Sequence, residues 1–123
     1  MSTRLSTISP ELDETIRKAS SEQKYELASA FSEWALRNSL YQGPMPASQS
    51  EARVLLERLD SKYWDLQESE GSSTSVAFAF SQARAMNAAL FAFGGDASEA
   101  AYEAVIATDD LAGAYALAKV VLS

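Results

Sequence analysis

The chain has 123 residues with 17 acidic and 10 basic side chains, so its net charge of -7 argues against nucleic acid or an anionic membrane surface as a partner. A composition of 47% hydrophobic and 22% charged residues is typical of a folded globular protein and argues against intrinsic disorder. The absence of cysteine and histidine excludes disulfides, thiol nucleophiles and every catalytic or metal-binding arrangement that needs an imidazole.

The first predicted helix begins at Ser9-Pro10, where the serine hydroxyl caps free backbone amides and the proline fixes φ at the first helical position. Helical spacing then continues to Tyr41, so residues 10–41 form either one long helix or two helices separated at Ser20-Ser21. The apolar residues that share one face of this segment are Leu12, Ile16, Ala19, Leu27, Ala30, Phe31, Trp34 and Tyr41.

A loop follows at Gly43-Pro44-Met45-Pro46, because proline lacks an amide donor and disfavours helical geometry in the residue before it. Ser48 and Glu51 then have the spacing of a capping box, which predicts the start of another helix. This helix ends in the acid-rich segment at residues 68–71. Its apolar stripe consists of Ala52, Leu55, Leu56, Leu59, Tyr63 and Leu66.

Residues 71–95 contain a single charged side chain, Arg84, among alanine, phenylalanine, serine, valine, leucine and methionine. Hydroxyls at residues 72–75 can cap a helix over about residues 75–93, and Gly94-Gly95 ends it. A helix that is apolar on nearly every side is expected to be buried.

Two short helices are predicted at the C-terminal end of the chain. Asp96 and Glu99 mark the start of the first helix, which ends near Thr108, and Asp109-Asp110 place negative charge where the second begins. The expected buried stripe of the last helix consists of Leu111, Ala112, Tyr115, Ala118, Val121 and Leu122.

No segment shows the alternation of apolar and polar residues that is typical of a strand, so the predicted fold class is all-α. We expect residues 1–123 to form a single compact helical bundle of about five or six helices. The alanine-rich, nearly uncharged helix at about residues 75–93 is expected at its centre.

Arg84 marks the first candidate site, because a guanidinium in an apolar helix must find acceptors or an anion. Phe80, Arg84, Asn87 and Phe91 share one sector of the helical wheel and could hold a carboxylate or phosphate group. The alternative is structural: an internal ion pair with an aspartate or glutamate, or a head group that reaches water beyond its buried stem.

The second candidate site lies on the helix after Ser48. Glu57, Asp60, Trp64 and Glu68 recur at helical spacing opposite the apolar stripe, which predicts an exposed tryptophan inside an acidic surface. Such a combination is typical of a partner-binding surface. The alternative is a solvated face on which another segment covers Trp64.

We expect no metal and no cofactor, since the acidic pairs Glu22/Glu26, Glu57/Asp60 and Glu99/Glu103 fall on faces predicted to be solvated. The start of the chain lacks the charge and hydropathy pattern of a signal peptide, and the stretch before Gly95 is too polar to span a membrane. These observations predict a cytoplasmic location.

The leading functional hypothesis is a small non-enzymatic interaction module, such as an adaptor, inhibitor or immunity-like protein, with a protein partner that is basic. The alternative is a helical bundle that binds a small anionic ligand around Arg84, with or without catalysis. A homodimer is compatible with either hypothesis. Its expected face consists of Val76, Phe78, Met86, Phe93 and Tyr115.

Overall fold

A computed structural model describes residues 3–123, and over that range the chain is an all-α bundle, as the sequence predicts. Over these residues it has seven helices rather than five or six: residues 10–41 form two helices, which is one of the two expected arrangements, and a short helix that was not predicted precedes them. The helices are α1 (Arg4–Ile8), α2 (Pro10–Arg17), α3 (Ser21–Asn38), α4 (Gln49–Glu68), α5 (Ser73–Phe93), α6 (Ala97–Thr108) and α7 (Leu111–Leu122).

Local capping explains why residues 10–41 form two helices. The Oγ atom of Ser20 accepts a hydrogen bond from the Gln23 amide at 3.1 Å, and Gln23 Oε1 accepts one from the Ser20 amide at 2.9 Å. This reciprocal pair is a capping box that starts α3 afresh. The predicted cap at Ser9 is also present, since its Oγ accepts from the Leu12 amide at the start of α2.

Helix α4 lies at the margin of the bundle. It packs chiefly against α5, and Ala52 is the one buried residue among its twenty. Only half of the predicted capping box forms at its start. Ser48 Oγ accepts from the Glu51 amide, but the Glu51 carboxylate accepts from the Ala47 amide instead of the Ser48 amide.

Helix α5 is central, as predicted, and packs against α3, α4 and α6. Ser72 caps it, so it begins two residues before the predicted start at 75. The expectation that the whole helix is buried is wrong, because burial begins only at Ala79. The first turns of α5 lie beside the end of α4, where the hydroxyls of residues 72–75 face solvent.

Aspartates cap the last two helices, since Asp96 accepts from the Glu99 amide and Asp110 from the Gly113 amide. The predicted face of α7 is partly wrong: Ala114 and Ala118 are its buried residues, whereas Leu111 is exposed. Helix α7 packs mainly against α3, and this contact turns the small alanines inward.

The core lies where α1, α2, α3, α5 and α6 meet. Its largest fully buried apolar side chains are Phe31, Leu5, Leu12, Ile16, Leu27 and Met86. Alanines from α5, α6 and α7 complete it and allow these helices to pack closely. Over residues 3–123, no helix combines the length and the hydropathy that crossing a membrane requires.

Candidate functional site

A cavity of about 420 Å³ opens between α4, α5 and α6 beside the N-terminal arginine of α1. We call it the Arg84 cavity. Charged residues and aromatic rings supply most of its wall, which no single helix could provide. Its lining residues are Arg4, Asp60, Tyr63, Trp64, Phe80, Ala83, Arg84, Tyr102, Glu103 and Ile106.

Glu103 is a buried carboxylate in this wall and is only 2% exposed. It lies on the alanine-rich face of α6, because Ala100 and Ala107 are one helical turn away on either side and are themselves buried. Its Oε1 atom accepts hydrogen bonds from Arg4 Nη2 at 3.0 Å and from Asn87 Nδ2 at 2.9 Å. Glu103 therefore ties α6 to α1 and α5.

Arg84 lies between two carboxylates. Its Nη2 atom is 3.4 Å from Asp60 Oδ1 on α4, and its Nη1 atom is 3.5 Å from Glu103 Oε2 on α6. The second contact is ionic only, since Oε2 of Glu103 accepts no hydrogen bond from any described residue. Arg84 thus joins three helices through long contacts, and an anion there would have to compete with both carboxylates.

Arg4 closes one side of the cavity. Its Nε atom donates to Glu99 Oε2 at 3.0 Å, and its guanidinium lies 4.3 Å from the centre of the Tyr102 ring. Hydrogen bonding to Glu99 raises the pKa of Arg4 above its ordinary value, with a smaller rise from Glu103 and an opposing effect of burial. The Arg4 guanidinium therefore makes a cation–π contact with the Tyr102 ring.

Three aromatic side chains stand at the mouth of the cavity. The Tyr63 ring is 5.6 Å from Trp64 and 5.7 Å from Phe80, measured between ring centres, in edge-on and tilted arrangements. Trp64 is 59% exposed and Phe80 37% exposed. Large rings with so much free surface, held in place by a neighbour, form a rigid apolar platform.

The structure brings together parts of both predicted sites. Phe80 and Arg84 line the cavity, and Asn87 supports it through its hydrogen bond to Glu103. Phe91 instead packs partly buried against the core, outside the cavity wall.

The predicted acidic stripe of α4 is divided between two surfaces. Asp60 and Trp64 line the Arg84 cavity. Glu57 faces a different surface of α4, beside Arg58 and Lys62. Glu68 is exposed at the end of the helix. The tryptophan is exposed, as expected, and Asp60 is the one acid of the set that joins it at the cavity.

Sequence reasoning missed Arg4 and Glu103 as site residues and placed Glu103 on a solvated face. One signal was available for Glu103, because its neighbours at helical spacing are alanines and a carboxylate on an alanine face is expected to be buried and paired. No sequence pattern pointed to Arg4, which lies in a five-residue helix 99 positions away from Glu103.

The predicted homodimer face loses one of its members. Met86 is fully buried in the core, whereas Phe78 and Phe93 are exposed and Val76 and Tyr115 are partly buried. An apolar residue that already packs inside the protomer adds no area to a dimer interface.

Three comparisons with known proteins found no detectable relative of this chain. No family model matches it, and neither the curated proteins nor the solved structures include a detectable match.

Proposed function

We propose that this protein is a small acidic interaction module of the cytoplasm that acts without catalysis. It binds a basic protein partner in the manner of an adaptor, an inhibitor or an immunity factor. The binding surface is the aromatic mouth of the Arg84 cavity, formed by Tyr63, Trp64 and Phe80 with Asp60 beside them.

The observation that carries this proposal is the exposure of Trp64. A tryptophan that is 59% exposed, braced by Tyr63 and next to a carboxylate, has the composition of an interface hot spot. Trp and Tyr at the centre of an interface contribute large apolar area at low cost in conformational entropy.

Charge supports a basic partner. The chain has a net charge of -7, and Asp60 of α4 lies beside the aromatic mouth of the cavity. Opposite charge on a partner accelerates the encounter and disfavours wrong partners. Homodimerisation is a separate prediction, compatible with a basic partner, that sedimentation of the purified protein tests. A strictly monomeric species at high concentration would contradict it.

The alternative at Arg84, a small anionic ligand, stays a prediction. Arg84 has two carboxylate neighbours at 3.4 and 3.5 Å, and an incoming anion would bring a third negative group to them. This arrangement favours the interaction hypothesis.

Affinity capture with matched variants tests the proposal. Tagged wild-type protein, Trp64→Ala and Tyr25→Ala are used in parallel, since Tyr25 on α3 is equally exposed at 60% but lies away from the cavity. A partner retained by the wild type is then purified and its affinity measured for each protein.

We expect Trp64→Ala to weaken binding by about 2 kcal/mol or more, which is about thirtyfold, and Tyr25→Ala to leave it unchanged. Raising the salt concentration from about 0.05 to 0.5 M should lower the association rate, because exposed charges steer the encounter. Equal effects of the two variants, or no retained partner at low salt, would contradict the proposal.

A further inference from the structure

Helix α5 extends beyond the end of α3 and is uncovered there. The Gln82 side-chain amide donates a hydrogen bond to the Ser39 carbonyl at 3.2 Å and lies 3.5 Å from the Leu40 carbonyl, so α3 ends level with Gln82. Phe78 lies one turn earlier on the same face of α5, past the end of α3, and is 43% exposed. An apolar surface, which we call the Phe78 face, therefore runs from Phe78 to the end of α3.

Leu40 lies at the other end of this face in an unfavourable backbone conformation. Its φ is 59°, and the amides of Leu40 and Tyr41 donate to the carbonyls of Arg37 and Leu36, which is the hydrogen-bond pattern of a Schellman motif. Glycine is the usual residue at this position, because an L side chain is strained at positive φ. Leu40 is 59% exposed and adds little to the core. An exposed leucine at a strained position favours a role in contact with another molecule.

The two segments that contribute to the Phe78 face carry no charge. Residues 38–50 and residues 71–83 contain 13 residues each, and neither segment has an aspartate, glutamate, lysine or arginine. At the chain's average of 22% charged residues, the two segments would hold about six charged side chains. Surfaces of soluble proteins are usually richer in charge, whereas the centres of interfaces are depleted of it. The composition therefore indicates an interface.

Charge favours a second copy of this chain as the occupant. A basic partner finds no acidic group within the two segments to pair with. Two copies of a chain with a net charge of -7 can instead meet at an uncharged surface without bringing unpaired carboxylates into contact.

The size of the two segments fits a dimer interface. Ser39, Ala79 and Ala83 are buried, and the other 23 residues are at least partly exposed. Each side of a stable interface contributes roughly 20–30 residues. A twofold axis also places two different patches of one molecule against each other in exchange, as Phe78 and Leu40 at the two ends of the face require.

We propose that the Phe78 face binds a second copy of this chain across a twofold axis. Phe78 of each copy packs against Leu40 of the other copy. Small side chains beside Phe78 allow the two α5 helices to approach closely. They are Ser73, Thr74, Ala77 and Ser81.

The Phe78 face is distinct from the surface of the proposed function. Phe80 lies two residues after Phe78, so the two side chains point about 200° apart around α5. Phe80 lines the Arg84 cavity with Trp64, whereas Phe78 does not. The dimer therefore leaves the aromatic mouth open to a basic partner.

Sedimentation equilibrium with matched variants tests the proposal. Phe78→Ala and Phe93→Ala are compared, because both phenylalanines lie on α5 and both are 43% exposed, but Phe93 is at the opposite end of the helix. We expect the wild type to be dimeric at about 0.1 mM and to dissociate on dilution. Phe78→Ala should weaken the dimer at least about tenfold, and Phe93→Ala less than about twofold. Equal effects of the two variants would overturn the proposal.

Leu40→Gly separates the contact from folding and serves if Phe78→Ala does not fold. Glycine relieves the strain at φ 59° but frees the unfolded chain, so the Tm of the diluted, monomeric protein should stay close to that of the wild type. The dimer should weaken at least about fivefold, because the leucine contact is lost. A dimer as tight as that of the wild type would contradict the proposed contact.

Disulfide trapping tests which residues meet. The chain has no cysteine, so Phe78→Cys and Leu40→Cys are made singly and mixed. Twofold exchange predicts that oxidation joins these two variants to each other, since a disulfide needs Cα atoms within about 7 Å. Phe93→Cys mixed with Leu40→Cys is the control and should stay unjoined. Equal yields from the two mixtures would overturn the proposed pairing.

Salt separates the dimer from the proposed function. The dimer should strengthen as salt rises from about 0.05 to 0.5 M, because screening weakens the repulsion between two acidic chains, whereas association with a basic partner should slow. A wild type that stays monomeric to about 0.5 mM at both salt concentrations would overturn the dimer, assign the Phe78 face to a different partner and leave the proposed function intact. A dimer disrupted by Trp64→Ala and not by Phe78→Ala would also overturn it. A dimer at the Phe78 face without any captured basic partner supports the inference and counts against the proposed function alone.

Discussion

The link between Arg84 and Glu103 predicts a defined loss of stability when the guanidinium is removed. Arg84→Met keeps the apolar stem and removes both ionic contacts, so the buried carboxylate of Glu103 loses its contact at Oε2. Loss of one partner of a buried ion pair costs about 3–5 kcal/mol. Here Arg4 remains at 3.0 Å and the Arg84 side chain is 26% exposed, so we expect about half that, or ~2 kcal/mol.

A double-mutant cycle separates this interaction from general damage. In the wild-type background, Glu103→Gln places an amide donor against the guanidinium of Arg84. In the Arg84→Met background, the same substitution faces an apolar side chain and no cation. We therefore expect a coupling free energy of at least about 1 kcal/mol between the two positions. Urea unfolding followed by far-ultraviolet circular dichroism measures it, and ~2 kcal/mol corresponds to a Tm shift of about 8 °C for a chain of this size.

Arg17→Met is the control for this cycle, because Arg17 pairs with Glu14 on an exposed face and such pairs contribute less than about 1 kcal/mol. If Arg84→Met costs no more than Arg17→Met and the coupling is zero, Arg84 behaves as a surface arginine. That result would show that Arg84 does not link α4, α5 and α6 through ionic contacts.

Three further predictions concern the fold. Ser20→Ala removes the capping box of α3 and should cost about 1 kcal/mol in urea unfolding, while Ser21→Ala beside it should cost almost nothing; equal losses would refute the role of the cap. Phe31→Ala empties the centre of the core and should cost about 3–5 kcal/mol, so a Tm within a few degrees of the wild type would contradict the packing. Burial raises the pKa of Tyr41 above its ordinary value of 10.0, so the phenol ionises at a lower pH in the unfolded chain than in the folded protein. Tyr41 therefore stabilises the fold below about pH 10, and this contribution is lost as the pH rises through the pKa of the folded state. Unfolding measured between about pH 9 and 11.5 should show a smaller loss for Tyr41→Phe, and an equal loss would contradict this assignment.

The helices that the sequence predicts best are those with local start and stop chemistry. Ser9-Pro10, Asp96 and Gly94-Gly95 act on backbone groups within a few residues, so their effect depends little on the rest of the chain. Helix α1 has only five residues and lacks an apolar period long enough to detect. Its cap at Thr3 becomes recognisable only once the helix is seen.

The burial of α5 and the wall of the site depend on tertiary packing. The near absence of charge in residues 71–95 indicates an apolar helix but does not reveal that its first turns are exposed and lie beside the end of α4. The partners of Arg84 were beyond sequence reasoning for the same reason. Asp60 is 24 residues before it and Glu103 is 19 residues after it, on helices whose relative rotation no local pattern fixes.

The combination of Asp60, Trp64 and Arg84 shows what sequence patterns can and cannot do. Helical spacing selected residues of α4 and of α5 that do line the cavity, but it assigned them to two separate sites. Only the packing of α4 on α5 unites them. The deepest group, Glu103, came from a helix that neither hypothesis considered as part of a site.

Photo-cross-linking from position 64 shows whether a partner covers Trp64. A benzoylphenylalanine in place of Trp64 contacts whatever occupies the aromatic mouth in living cells, and the same group at Tyr25 samples an equally exposed surface. We expect one dominant adduct from position 64, with a contact peptide rich in basic residues, and none of it from position 25. The same adduct from both positions, or adducts from position 25 alone, would contradict this expectation.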